Sequence, residues 1–514
     1  MVCVLPRQLM RPVRVAAETL AVKNERFTRI VRLCSPRALR QLECCQAVFL
    51  LQTEMNSMNP DSAVSVFPSG TEDPGVLERA RRFSAVALLA ARIYAGYKAI
   101  QLWDRATKSS KTPERYRRQD LRSARALYRT ATRLEGLLIK ASQFIATRAD
   151  LLPDEWVNTL SSLHDRVPPR PFVTIRGQVE RELKKPLDAI FSEFDEVPLA
   201  AASLAQVHRA RLRDGRACAV KVQYPGIDGI VRLDLKNLTF VLRALAFLER
   251  DFDFRVIVRE ALKYVPMELD FEHEAENAET MRRNFAGDPT VLVPEVYREY
   301  TTRRVLTMEL VDGIRISDVA ALERAGIDRR AVAQRLTEVF CEQVLRDGFF
   351  HADPHPGNIL VKPGPTLVFL DFGLAKDFPA SFRDGLVRLT LAILIDDRDG
   401  IVRAFHELGF RTRNGSPDTL LTLAEAFLGS AIRHRKAYAT PEFVKEFSDR
   451  LHRSVRENPV VEVPADVLLV TRVMGLLSGL GKTLDSQVDL FTTIMPYARQ
   501  LLAQPAVADG GPAR

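Results

Sequence analysis

Apolar positions repeat with a helical period towards both ends of this chain and with a strand period between them. Over 83–103, FSAVALLAARIYAGYKAIQLW, the residues Val86, Leu89, Ile93, Ile100 and Trp103 fall near one stripe and predict a helix. A longer helix is predicted over 119–147, where Leu127, Ala131, Leu134, Leu138, Ala141 and Ile145 keep the same spacing. Pro153 and Asp154 open another short one. From about 193 the texture changes. FSEFDEVPLAAASLAQVHRARLRDGRACAVKVQ reads as strand, loop, strand, an Asp214-Gly215 turn and strand. Residues 227–283 return to a helical period, RRVLTMELVDG (303–313) is a strand leaving into a turn, and 327–348 is a helix. NILV and TLVFLD then pair as a hairpin across KPGP, and 381–502 are mostly helical.

These elements predict an α+β fold in two lobes, a small β-rich one followed by a helical one. The limits read as a disordered segment and linker over 1–75, a helical extension over 76–192, and a β-rich lobe with a helical insert over 193–310. A helical lobe over 311–505 and a disordered tail over 506–514 complete the chain. The linker rests on EMNSMNPDSAVSVFPSGTEDPGV (54–76), rich in Pro, Gly, Ser and acids. The first residues are Arg-rich and acid-poor, like a transit peptide, and a start at Met55 or Met58 would leave 1–54 outside the protein.

Composition narrows the class. The chain has 514 residues, 46% hydrophobic and 27% charged, enough for a sizeable core. A net charge of +9 favours anionic partners such as phosphates or anionic lipid, or is simply a solvated surface. The six cysteines, Cys3, Cys34, Cys44, Cys45, Cys218 and Cys341, show neither zinc spacing nor a disulfide framework, which points to a reducing compartment. No stretch reaches 18 uninterrupted apolar residues, so no spanning helix is expected. The 83–103 stripe, followed by Arg105, Lys108, Lys111, Arg115, Arg117 and Arg118, either packs on its own domain or lies in a membrane interface.

The chemistry sits in FFHADPHPGNIL (349–360) and the LDFGL that follows the hairpin. Phosphoryl transfer needs positioning and charge neutralisation more than covalent help. Asp353 is placed to orient an acceptor hydroxyl or water. Asn358 and Asp371 offer hard oxygen ligands for Mg²⁺, and the hairpin returns Asp371 beside Asn358. The spacing matches a kinase catalytic loop followed by DFG. His351 and His355 have no third His or Cys near in sequence to complete a metal site. Lys221, in ACAVKVQ on a strand between Val220 and Val222, is placed to reach phosphate oxygens. Its partner is one of Glu268, Glu272, Glu274 and Glu276 in ELDFEHEAEN, and Met308 to Leu310, including Glu309, form a candidate adenine-binding hinge. Three kinase parts are missing. PLAAASLAQVH (198–208) replaces a glycine-rich loop, no APE follows DFG, and Ala352 stands in place of the arginine of HRD.

AAASLAQVH, AVKVQ, ELDFEHEAEN, VLTMELVDG, HADPHPGN and LDFG together resemble the UbiB/ADCK family of atypical kinases, from about residue 140 to about 410. The resemblance implies a bilobal protein-kinase-like fold with an N-terminal helical extension and a helical C-terminal lobe. The family's KxGQ motif falls on Lys140, Ala141, Ser142 and Gln143, with serine in place of glycine, and its ExD motif on Glu268 and Asp270. It further implies that Glu274 pairs with Lys221, that Asp353 is catalytic, and that Asn358 and Asp371 hold the metal. Ala200, Ala201, Ala202 and Ser203, with Lys140, Gln143, Glu268, Asp270, Glu309 and Leu310, would then surround ATP.

The implied activity is Mg²⁺-ATP-dependent kinase or ATPase turnover supporting coenzyme Q biosynthesis or membrane lipid homeostasis. The expected setting is cytoplasmic and peripheral to a bacterial inner membrane, or mitochondrial in a eukaryote, with lipid-pathway enzymes as partners and no nucleic acid. The ending QLLAQPAVADGGPAR departs from the transmembrane hairpin of the bacterial branch. Two other readings stay open: a small-molecule phosphotransferase of the aminoglycoside or choline type, and a non-catalytic scaffold that binds nucleotide and lipid.

Overall fold

The computed structural model describes residues 74–107, 112–139, 142, 153–160, 169–248, 265–412, 416–425, 460–462 and 464–503. The extension begins with helix α1 (Val76–Thr107), followed by α2 (Thr112–Leu134) and α3 (Asp154–Leu160). The 83–103 stripe packs inward: Val86, Leu89 and Ile93 meet Ala124, Leu127 and Ala131 of α2 in a core that also holds Trp156 and Leu160. Trp103, at the far end of the stripe, is exposed.

Outward, α1 presents a different face: Leu77, Ala80, Ser84, Leu88, Ala91, Ala95, Ala99 and Leu102, all exposed and spaced three or four apart. By length and composition α1 is apolar enough to cross a membrane, contrary to the expectation that no segment is. That expectation counted interruptions by Arg92 and Lys98, which a window average tolerates. The basic run is largely neutralised where it is described. Arg115 pairs with Asp104, Arg117 with Glu155 and Arg118 with Glu114. Lys108 and Lys111 lie outside the described residues.

The long helix predicted over 119–147 is interrupted. At Glu135 and Gly136 the backbone turns left-handed, with φ of 57° and 63°. A left-handed pair ends a helix by turning its last carbonyls outward. Here those carbonyls meet Arg82 of α1, whose Nη1 donates to Leu134 O at 2.6 Å and whose Nη2 donates to Glu135 O at 3.4 Å. The same guanidinium forms a two-pronged bond to Asp234 on α5 (Ile227–Leu248), at 2.8 and 2.5 Å. Arg82 and Asp234 are almost fully buried. No apolar periodicity could announce this contact, because it fixes three helices through one cation.

The β-rich lobe is an antiparallel sheet in the order β1 (Phe191–Phe194), β3 (Ala205–Leu212), β4 (Ala217–Gln223), β6 (Val305–Glu309), with β2 (Ala200–Ala201) added to β3. The Asp214-Gly215 turn forms as expected, with Gly215 at φ 92° and Leu212 N–H donating to Arg216 O. Helix α4 (Phe172–Leu183) packs on β4, and Arg304 beside β6 ties it down through Glu182 and through Asp228 of α5.

Helix α6 (Phe271–Asn284) crosses behind the sheet. A second sheet runs β5 (Val291–Leu292), β10 (Thr366–Phe369), β9 (Ile359–Lys362), β7 (Ile314–Arg315), and its β9–β10 pair is the predicted hairpin. The largest core lies beneath it, where α7 (Arg329–Cys341), α8 (Ala380–Leu394), α9 (Arg398–Glu407) and α10 (Ala465–Thr483) bury Phe340, Phe369, Phe382 and Phe405. The helix expected over 327–348 changes to a π-turn at Glu342–Asp347 before Gly348. Mixed helices and sheets in two lobes match the predicted class.

Because Arg82 and Asp234 are buried together, removing one leaves an uncompensated charge, at a cost of about 3–5 kcal/mol. Arg82→Leu is therefore expected to destabilise the protein by that amount in chemical denaturation, and Arg82→Leu with Asp234→Leu by clearly less than the sum of the two singles. Additive losses would show that the pair is not coupled.

Candidate active site

The site grows from the register of β4. Val220 and Val222 point into the core, fully buried, so strand alternation turns Lys221 to the opposite face. There Lys221 Nζ donates to Glu274 at 2.7 and 2.9 Å and to Asp371 Oδ2 at 3.2 Å, and lies 5.1 Å from the Phe271 ring centre.

Of the four glutamates open as its partner, helical geometry selects one. Phe271, Glu274, Ala275 and Ala278 form the inward face of α6, whereas Glu272 and Glu276 point to solvent. The start of α6 is pinned from three sides. Asp270 caps it by accepting from the Glu272 and His273 amides. Phe271 N–H donates to Arg303 O, and the buried Gln223 Nε2 donates to Leu269 O at 2.9 Å.

Burial pushes the Glu274 carboxyl up, and the nearby Asp371 adds to this against the pull of Lys221. For Lys221, burial alone would lower the pKa, but Asp371 and Glu274 outweigh it and hold the ammonium charged. The two carboxylates differ in access: the Glu274 side chain is 2% exposed and Asp371 43%. Glu274 is buried against the lysine, whereas Asp371, also bonded to it, is partly exposed.

Asp371 arrives on the hairpin, where Leu370 N–H donates to Asn358 O and Gly373 N–H to Asp371 Oδ1. Asn358 Nδ2 donates to Asp353 O at 3.3 Å, which leaves its carbonyl oxygen for a cation. Two hard oxygens from side chains, completed by substrate phosphates, suit Mg²⁺, which keeps few protein ligands. Among the described residues no cluster of three or more His, Cys, Asp or Glu could hold a metal without a substrate.

The loop's histidines are structural. His355 accepts from Gly357 N–H at 3.2 Å. His351 accepts the Asp353 N–H on Nδ1 and sits against Phe369 and Phe372. Burial pushes its pKa down, against the pull of Asp353 and Asp371, and so favours the neutral ring. The π-turn places the buried Gln343 so that its Oε1 accepts the His351 N–H at 2.8 Å.

The alanine-rich segment forms a tight hairpin. Ala200 and Ala201 pair with Val207 and Gln206, and Leu199 and Ala202 N–H donate to Val207 and Ala205 carbonyls. Those two amides are therefore occupied by the hairpin, and Ser203 is buried at its turn. Gln206 and His208 brace it: Gln206 Oε1 accepts the Arg170 N–H, its Nε2 meets His208 Nε2 at 2.8 Å, and His208 Nδ1 meets Asp195 O at 2.7 Å.

At the expected hinge, Glu309 pairs with Cys218, and the Leu310 amide donates to Ala217 O rather than facing the cleft. Asp270 is likewise engaged as a helix cap. Glu268 lies in the turn just before it, and Lys140 and Gln143 lie outside the described residues. Ser142 is fully buried, and its hydroxyl donates to Leu138 O at 2.7 Å, so serine is accommodated where the motif carries glycine.

One residue escaped sequence reasoning although it sits one turn from Glu274. Asn277, buried, donates from Nδ2 to Phe372 O at 2.9 Å and so fixes the backbone next to Asp371. The i, i+3 spacing on the inward face was the available signal. Asn277→Leu removes the donor from a buried carbonyl and is expected to cost about 1–3 kcal/mol in unfolding measurements. An unchanged midpoint would mean that water replaces the amide.

Comparison with known proteins agrees with this geometry. The ABC1 atypical kinase-like domain matches residues 162–405. The chain is 33% identical to the uncharacterized protein sll0095 of Synechocystis over 429 residues, 81% of this chain and 74% of that one. It is 35% identical to the probable protein kinase UbiB of Marinobacter nauticus, covering 71% of this chain and 67% of that one. It is also 35% identical to the chloroplastic protein ACTIVITY OF BC1 COMPLEX KINASE 8 of Arabidopsis thaliana, covering 74% of this chain but only about half, 54%, of the plant protein. Among solved structures, the complex of Rv3197 from Mycobacterium tuberculosis with erythromycin superposes with a TM-score of 0.53 at 25% identity, covering 75% of this chain and 97% of that one. With the lysine, glutamate and DFG aspartate gathered at one point and these relatives alongside, the chain belongs to the ABC1/UbiB family of atypical kinase-like proteins.

Proposed function

We propose that this protein binds Mg²⁺-ATP between its two lobes and turns it over as an atypical kinase or ATPase in support of a membrane lipid or quinone pathway. The observation that carries this reading is the Lys221–Glu274–Asp371 cluster beside Asp353 and Asn358. Lys221 supplies a cation for phosphate oxygens, and Asp353 orients the acceptor hydroxyl or water. Mg²⁺, held by Asp371 and Asn358, neutralises phosphate charge when bound. The alanine-rich hairpin, with two of its amides engaged, offers phosphates a poorer cradle than a glycine-rich loop. That favours hydrolysis or a restricted acceptor over general protein phosphorylation.

The membrane part rests on the outward face of α1, where Leu77, Leu88, Ala95, Ala99 and Leu102 are exposed beside Arg81 and Arg92. With three arginines of the basic run already paired, attraction to anionic headgroups is secondary to apolar burial. A second reading is favoured by the mycobacterial relative, which was solved with erythromycin. In it, the acceptor is a bulky small molecule, and turnover would rise with such a compound and not with vesicles.

Two measurements test these readings. Asp371→Asn is expected to abolish the Mg²⁺ dependence of nucleotide affinity and to lower turnover by about 10²–10³, the scale of losing one electrostatic stabiliser. Retention of both would reject the nucleotide assignment. Leu88→Glu, on the exposed face, is expected to leave thermal stability unchanged and to abolish pelleting with vesicles at high salt as well as low. Unchanged pelleting, or none by the parent protein, would reject the membrane role.

A further inference from the structure

Beside the alanine-rich hairpin, the described residues line a partly open pocket of about 240 Å³ where the extension meets the β-rich lobe. It is below the roughly 300 Å³ at which drug-sized pockets begin, so its occupant is the size of a headgroup or small metabolite. Its apolar floor is Leu134, Ile227 and Ile230, and its polar walls hold four arginines, Arg81, Arg82, Arg133 and Arg170, against two glutamates, Glu78 and Glu135. Arg82 belongs to the buried pair with Asp234 and is fixed.

The other three arginines are less enclosed, although Arg170 also lies over the Tyr224 ring at 5.4 Å. Arg81 pairs with Glu78 and Arg170 with Glu135, but the arginine side chains are 58% and 43% exposed, so these pairs are screened and weak. Arg133, exposed on the last turn of α2, makes no hydrogen bond or ion pair with any described residue. Three guanidinium groups from three elements, α1, α2 and the segment leading into α4, therefore border one small cavity. Guanidinium forks bind oxyanions in a bidentate way. A planar carboxylate offers two oxygens, whereas a phosphomonoester offers three to three arginines.

We infer that this cavity is a binding site for a phosphomonoester, separate from the nucleotide cleft, with Arg81, Arg133 and Arg170 as its ligands. The bound anion joins α1 and α2 of the extension to the wall formed by Ser203 of the alanine-rich hairpin and by Ile227 and Ile230 of α5. Such an anion comes either free in solution or as the headgroup of a phosphatidate-type lipid.

The experiment titrates the full chain with inorganic phosphate and with glycerol 3-phosphate by calorimetry, and pellets it with phosphatidylcholine vesicles with and without phosphatidic acid. Saturable binding is expected. Arg133→Gln and Arg170→Gln should each weaken it at least about tenfold, the loss of one charge-assisted bond, with Arg133→Lys in between. Asp371→Asn should leave it unchanged, which separates this site from the cleft. A phosphatidic acid preference in pelleting that Arg133→Gln removes identifies the lipid source, and tighter glycerol 3-phosphate binding with no vesicle preference identifies the soluble one. No saturable binding, binding indifferent to both arginine variants, or binding lost in Asp371→Asn would overturn the inference.

Discussion

A lysine ammonium removed from bulk water must be held by carboxylates, because the idealised cost of burying a lone ion far exceeds the net stability of a domain. Lys221 meets that requirement with Glu274 and Asp371, and each comes from a different layer: a sheet strand, the helix behind it and the hairpin of the other lobe. One charge cluster thus sets the register of β4, the rotation of α6 and the position of the Asp371 loop. The supporting bonds act on the same cluster. Gln223, Asp270 and Arg303 fix where α6 starts, and Asn277 fixes the Phe372 carbonyl. The difference in exposure between the two carboxylates follows from this arrangement: both hold the lysine, one fully buried and the other partly exposed.

The extension is joined to the lobe by a second charge held out of water. Arg82 caps α2, pairs with Asp234 of α5 and lies in α1, so a single guanidinium ties together three helices that also pack through Val86, Leu127 and Val241. The break at Glu135-Gly136 is part of that joint, since a continuous helix would keep the Leu134 and Glu135 carbonyls for itself. The cavity beside the joint is a consequence of the same turn. Gly136 leaves space where a Cβ would come within 3.3 Å of Ile230, and the arginines around it are drawn there from separate elements.

Local patterns carried much of this protein into view. The Asp214-Gly215 turn, the hairpin over KPGP and the strand bearing Lys221 all formed as the residues predicted, because turn chemistry and two-residue alternation act over a few neighbours. The stripe Val86, Leu89 and Ile93 was legible as one helical face, but its destination was not. An apolar face fits a membrane as well as it fits another helix, and only α2 decided it. In the same way ELDFEHEAEN displayed four glutamates; the family resemblance pointed to Glu274, and the physical reason for it is which face of α6 meets the sheet.

By itself the sequence determined the candidate chemistry: an aspartate, an asparagine and a DFG aspartate at the spacing of a kinase catalytic loop, with a strand lysine ahead of them, since those depend on residue type and short-range geometry. It also determined the fold class, through the switch from helical to strand period and back. The tertiary structure decided what required distant segments to meet. That includes the Arg82–Asp234 joint across 152 positions, the Lys221–Asp371 bond across 150 and the Asn277–Phe372 bond across 95. Each joins residues far apart in sequence, which short-range spacing alone does not pair. A polar side chain reads as surface in one dimension, and becomes an interior tie only when folding brings it a partner and excludes water.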